Sequence, residues 1–80
     1  MKKIHVFIKC QRGEAYNAAA NIVETIDAVS EVDSISGEYD LLAKFYLADD
    51  EDVGHFVTER VQLVPGVRDT YTIMAFNAFL

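Results

Sequence analysis

Apolar residues in this chain switch between two spacings along six successive segments, and that order restricts the fold more than any single residue does. Ile4, Val6, Ile8 and Cys10 alternate with His5, Phe7 and Lys9, the period of a β-strand over Ile4 to Cys10. Gln11-Arg12-Gly13 breaks this pattern. From about Glu14 the apolar positions become Ala15, Ala18, Ala19, Ile22, Val23, Ile26 and Val29, whose steps of three and four lay one stripe on a helix. Its alanines favour helix and permit close approach to a sheet. Val32 to Ser36 reads as a short polar strand, and Gly37-Glu38-Tyr39-Asp40 has the chemistry of a hairpin turn. Leu41 to Ala48 alternates again, with Leu41, Ala43, Phe45 and Leu47 against Leu42, Lys44 and Tyr46. Asp49 to Asp52 places negative charge at the start of a second helix, with Asp49 as its expected N-cap. That helix buries Val53, Phe56, Val57, Val61 and Val64 and stops at Pro65-Gly66. A long last strand is expected from Val67 to Phe79.

The order β-α-β-β-α-β predicts an α+β, ferredoxin-like sandwich, a four-stranded antiparallel sheet with both helices on one face. The other face is then bare, and the alternation assigns Phe7, Leu42, Tyr46, Met74 and Phe76 to it. A contiguous apolar patch on a small domain marks an interface, and two such sheets can pack face to face. Dimerisation through the sheet is the expectation, with a dimer as the minimum unit.

Eighty residues, 51% of them apolar, suffice for one core and one domain spanning 1–80. A domain this small buries only about 60% of its unfolded surface, so further support is common. The single Cys10 cannot form an internal disulfide and no Cys/His spacing suggests a structural metal, which leaves association as that support. This cysteine usage fits a reducing cytoplasm. Thirteen acidic residues against seven scattered basic ones give a net charge of -6, which opposes direct nucleic-acid binding. No apolar run approaches the ~20 residues that span a membrane, and Met1-Lys2-Lys3 leads into no signal-peptide core, so the mature chain is expected to start near Met1.

Candidate catalytic groups each have a plainer reading. His5 and His55 have no partner at metal-ligand spacing and read as solvated or hydrogen-bonded side chains. Cys10, the last inward position of its strand, reads as a small core residue rather than a nucleophile. The acidic run at 49–52 lacks the spaced oxygens of a calcium loop. Aromatic residues on a sheet of this topology can stack RNA bases, but the basic aromatic strand motif is absent. No catalytic residue, metal or cofactor is assigned.

Ser36-Gly37-Glu38-Tyr39-Asp40 ahead of the third strand, with Leu63-Val64-Pro65-Gly66-Val67 and Thr70 and Thr72 at the last strand, resembles the effector domain of Lrp/AsnC transcription regulators, the domain for regulation of amino-acid metabolism. The resemblance covers nearly the whole chain. It implies a small-molecule-sensing, self-associating domain whose dimers associate further, with an amino acid bound between dimers. Carried onto matching positions, the ligand residues are Gly37, Tyr39 and Asp40, with Ser36 next and Thr70 and Thr72 contributing polar contacts. Gly37 and its neighbours would offer N–H groups to a carboxylate, and Asp40 would meet an ammonium. Family members carry a helix-turn-helix domain in front, which has no counterpart before the first strand here, so a stand-alone form that can co-assemble with a full-length relative is expected. A structural module without ligand, and a small dimeric α+β-barrel enzyme of oxygenase or isomerase type, remain as alternatives.

Overall fold

A computed structural model describes residues 1–79. Strand β1 (Lys2–Cys10) leads into helix α1 (Ala15–Thr25), followed by β2 (Val29–Ser34), β3 (Leu41–Leu47), the short helix α2 (Val53–Phe56), a π-helical continuation (Val57–Val61) and β4 (Val67–Ala75). The strands form one sheet in the order β2-β3-β1-β4, with all neighbours antiparallel. This is the predicted ferredoxin-like sandwich. β1 lies inside the sheet between β3 and β4, so its alternation is the most complete: Ile4, Val6, Ile8 and Cys10 are all buried. They meet Leu41, Ala43, Phe45 and Leu47 of β3 in a single core.

Helix α1 covers that core with Ala18 and Ile22, and Ile26 seals its end. The second helical segment adds Phe56, Val57, Val61 and Val64. Phe56 meets Phe45 edge-on, with ring centroids 5.1 Å apart. The side chain of Arg60 crosses between helices to donate to the carbonyl of Thr25 at 2.9 Å. At Gly66 the chain bends with φ +93°, and a Cβ there would stand 3.1 Å from Cβ of Glu14. Glycine thus serves two demands at once, a left-handed turn and a close pass over the start of α1.

Several expected boundaries and faces differ. β1 begins at Lys2 rather than Ile4, and β2 is Val29–Ser34 rather than Val32–Ser36. Val29 therefore pairs with Phe45 in the sheet instead of extending the helix stripe, and Val23 is 60% exposed. Asp52, not Asp49, caps α2, accepting from the N–H of His55 at 2.8 Å. Asp49 instead meets the N-terminal ammonium at 3.1 Å. β4 ends at Ala75 rather than Phe79.

The most consequential correction concerns the bare face. Met74 pairs with the buried Ile4, so it points to the helix side, and Phe76 lies beyond the end of the strand. Tyr71 pairs with Phe7 and Ile73 with His5, and these are the β4 residues on the open face. β4 is an edge strand with half-buried or exposed residues on both sides, so its own alternation does not say which side is inward. The ladder to β1 does.

Candidate functional site

The turn between β2 and β3 is built around Asp40. Its N–H donates to the carbonyl of Ile8 at 2.9 Å, and its carboxylate Oδ2 accepts from the N–H of Cys10 at 2.7 Å. One residue thus continues the β1–β3 ladder past Leu41 and satisfies the strand end where the β1–β4 register slips between Lys9 and Cys10. On the other side of that end, the N–H of Gln11 donates to the carbonyl of Gly66 at 2.8 Å. The N–H of Ile35 bonds to the carbonyl of Asp40 at 3.0 Å and closes the turn, whose reversal passes through Gly37 at φ +106°. Lys9 anchors it from the sheet, its Nζ donating to the carbonyl of Glu38 at 2.7 Å.

So held, the turn lays Tyr39 onto the open sheet face. Its ring lies 5.7 Å from Phe7 and 6.3 Å from Tyr71, and Phe7 and Tyr71 are 5.9 Å apart. The result is a three-ring floor with polar groups at its margin: Lys9, its β4 partner Asp69, and Glu38. Partial desolvation, then the negative charges of Glu38 and Asp69 and the neighbouring Tyr71, push the Tyr39 phenol above its ordinary range, so it remains a neutral donor. The floor continues into Leu42, opposite Phe7 in β3, and into Tyr46, which carries Lys44 5.2 Å above its ring.

Of the residues expected to bind ligand, the structure brings Tyr39 and Asp40 together with Gly37 and the exposed Ser36 in one turn, and it separates them from Thr70 and Thr72. Thr70 pairs with Ile8 and Thr72 with Val6, so both lie on the helix side of β4, where Gln62 donates to the Thr70 hydroxyl at 2.9 Å. Three surface clefts are lined at Met1–Lys3 with 74–77, between Asn21–Ile26 and Glu59–Pro65, and along Glu51–Arg60; Ser36, Gly37, Tyr39 and Asp40 line none of these three. The three-ring floor is an open shelf within one chain. Sequence reading missed Tyr71, Lys9 and Asp69 as its other walls. The signal for Tyr71 was its alternation with Thr70 and Thr72, which becomes readable only once β4 is registered against Phe7.

The groups considered for catalysis fall apart in space. Burial, then the carboxylate of Asp40, push the Cys10 thiol up, which keeps it protonated and a poor nucleophile. His5 lies in the sheet opposite Lys44 and Ile73, whereas His55 is exposed on α2. No helix among the described residues is long and apolar enough to cross a membrane.

Comparison with known proteins agrees with this architecture. Residues 3–80 match the Lrp/AsnC ligand binding domain. An uncharacterised HTH-type transcriptional regulator of Pyrococcus furiosus is 34% identical over 64 residues, which are 80% of this chain and 43% of the relative. The chain thus spans less than half the length of the curated relatives it matches. A crystal structure from Thermus thermophilus superposes with a TM-score of 0.87 at 32% identity, covering 100% of this chain and 99% of that one. A transcriptional regulator of Neisseria meningitidis, solved as a complex with L-Met, shares the fold with a TM-score of 0.82 at 19% identity, covering 99% of this chain and 52% of the regulator. With a sequence match over nearly its whole length and the same fold in solved structures, this chain belongs to the Lrp/AsnC ligand-binding domain family.

Proposed function

We propose that this domain is a non-enzymatic module that senses an amino acid, self-associates through its open sheet face, and acts within transcription regulation. The observation that carries the reading is the three-ring floor of Phe7, Tyr39 and Tyr71, set where the 36–40 turn meets a sheet face that no helix covers. A second copy placed on that face would bury Phe7, Leu42, Tyr46, Tyr71 and Ile73 and turn the open shelf into an enclosed pocket. The Neisseria regulator's complex with L-Met supports an amino acid as the class of ligand.

A zwitterion asks for opposite charges a few ångströms apart. The backbone N–H groups of Gly37 and Glu38 have no hydrogen-bond acceptor among the described residues and suit a carboxylate. Asp40 already holds the N–H of Cys10, so Glu38 and Asp69 are better placed to meet the ammonium. Ser36 sits at the rim of the same turn, and Thr70 and Thr72 would join the site only from a neighbouring copy. Such a site links ligand affinity to assembly, because a ligand that prefers one assembly state shifts the population toward it. The HTH-type relatives make a DNA-binding member of the family a natural partner for mixed assembly.

Calorimetry and thermal shift across the common amino acids, run beside sedimentation with and without each one, test the reading. The expected result is a dimer or larger at micromolar concentration, with at least one amino acid that releases heat and changes the sedimentation profile. An assembly that none of them touches replaces sensing with a purely structural role.

A further inference from the structure

At one end of the open face a cation already rests on a ring, the Nζ of Lys44 standing 5.2 Å from the centroid of Tyr46. At the other end Phe7, Tyr39 and Tyr71 hold no such cation among the described residues, and Tyr71 is 54% exposed. The planes of these three rings differ by 52°, 38° and 23°, so no pair is edge-on and the ring normals share a general direction. The face of an aromatic ring is the negative end of its quadrupole, and faces that share a direction act together on a charge above them. With centroids 5.7, 5.9 and 6.3 Å apart, a charge over the middle of the triangle stays within about 6 Å of all three, the range over which a ring attracts a cation.

The rim of the floor has the same sign as the ring faces. Glu38 precedes Tyr39 in the turn, and Asp69 stands two residues before Tyr71 on β4, across the ladder from Lys9. Neither carboxylate is in an ion pair among the described residues. Lys9 commits its Nζ to the carbonyl of Glu38, while Asp69 accepts from the N–H of Thr70 at 2.9 Å through Oδ1 alone, which fixes the side chain and leaves Oδ2 free. Partial desolvation and then the charges of Glu38 and Asp69 raise the Tyr39 phenol, so both carboxylates act on the floor. A zwitterion brings one ammonium to this rim and engages one of the two. An aliphatic side chain would cover the rings and leave the second carboxylate uncompensated, whereas a second cation would meet that carboxylate and the ring faces together.

We infer that the floor selects its ligand by charge: the amino acid it takes has a cationic side chain, an ammonium or guanidinium that rests on Phe7, Tyr39 and Tyr71 with Asp69 at its edge. The inference rests on the sensing reading above and names the class of ligand. Tyr71 and Asp69 are then the residues that set specificity, and the N–H groups of Gly37 and Glu38 remain for the carboxylate.

The test is calorimetry with two pairs of amino acids matched in length and differing in charge, L-lysine against L-norleucine and L-arginine against L-citrulline, on wild type, Tyr71→Leu, Asp69→Asn and Glu59→Gln. In wild type the charged member of at least one pair should bind at least about tenfold more tightly than its neutral match, the scale of a desolvated cation on an aromatic face. Tyr71→Leu, which keeps apolar area and removes a ring face, should shrink that ratio at least about threefold. Asp69→Asn should do the same while keeping an acceptor for the N–H of Thr70, which separates lost charge from lost folding. Glu59→Gln, an acid on the second helical segment, should leave the ratio unchanged. Neutral members that bind as tightly as charged ones, or a full ratio in both Tyr71→Leu and Asp69→Asn, overturn the charge selection and leave amino-acid sensing standing. If none of the common amino acids binds, both fall.

Discussion

Gly66 and Gly37 both occupy left-handed backbone, yet they carry different loads. A methyl at Gly37, φ +106°, would meet nothing within 4 Å, whereas at Gly66 it would stand 3.1 Å from Cβ of Glu14 and 3.4 Å from that residue's carbonyl oxygen. Gly37→Ala should cost about 1 kcal/mol in backbone strain alone, and Gly66→Ala clearly more, because α1 must also give way; urea denaturation of the two variants measures the difference. Asp40 presents a similar contrast between roles. Its carboxylate holds the N–H of Cys10, so Asp40→Ala should lower stability by about 1–2 kcal/mol, while Asp40→Asn, which keeps an acceptor, should lower it less. Burial and, after it, the same carboxylate suppress the Cys10 thiolate. Native protein should therefore react slowly with a thiol reagent at neutral pH, and Asp40→Ala should speed that reaction, as a simple absorbance assay would record.

At the level of strands and helices, what was legible depended on how lopsided each element's environment is. β1 and β3 are buried on one side only and flanked on both edges, so Ile4, Val6, Ile8 and Leu41, Ala43, Phe45 declared the inward face in the sequence itself. β4 has a free edge and little cover, and its two faces are chemically alike: Tyr71 and Ile73 on one, Thr72 and Met74 on the other. Their assignment required the register with Phe7 and His5. The candidate site was half visible for the same reason, since Gly37, Tyr39 and Asp40 are contiguous whereas Tyr71 reaches them only through pairing. Ile73→Lys should accordingly disrupt assembly far more than Met74→Lys, which light scattering on the two variants would reveal. The start of α2 escaped because four successive acidic residues, Asp49 to Asp52, offered equivalent caps, and only the path of the chain selects Asp52. Hydrogen bonding from the N–H of His55 holds the Asp52 carboxyl below its ordinary range. Its contribution is present above the unfolded-state value and lost as pH falls through the lower folded one, so Asp52→Ala should lower the melting temperature at neutral pH and matter little in strong acid.

The molecule as a whole is acidic, has one crowded core and leaves one sheet face uncovered. Its net charge of -6 opposes a phosphate backbone, and this chain alone should produce no sequence-dependent band shift at physiological salt; a shift that appears only with an HTH-type relative would point to mixed assembly. The strand order also bears on how the molecule forms. β1, which leaves the ribosome before the other three strands of this sheet, is an interior strand whose ladder to β4 sets Lys3 opposite Ala75, nearly the full span of the sheet's sequence apart. Only β2 and β3 can zip locally. Ring closure over such a span must precede any reward from the contacts it makes, which places folding in the slower range for a chain this short. Until β4 emerges, β1 has an open edge, and a truncated or stalled chain presents Ile4, Val6 and Ile8 beside unpaired amides, the template on which strands from different molecules join. β4 is thus the safeguard of β1, and synthesis must pass through β4 before aggregation is closed off as a competing fate.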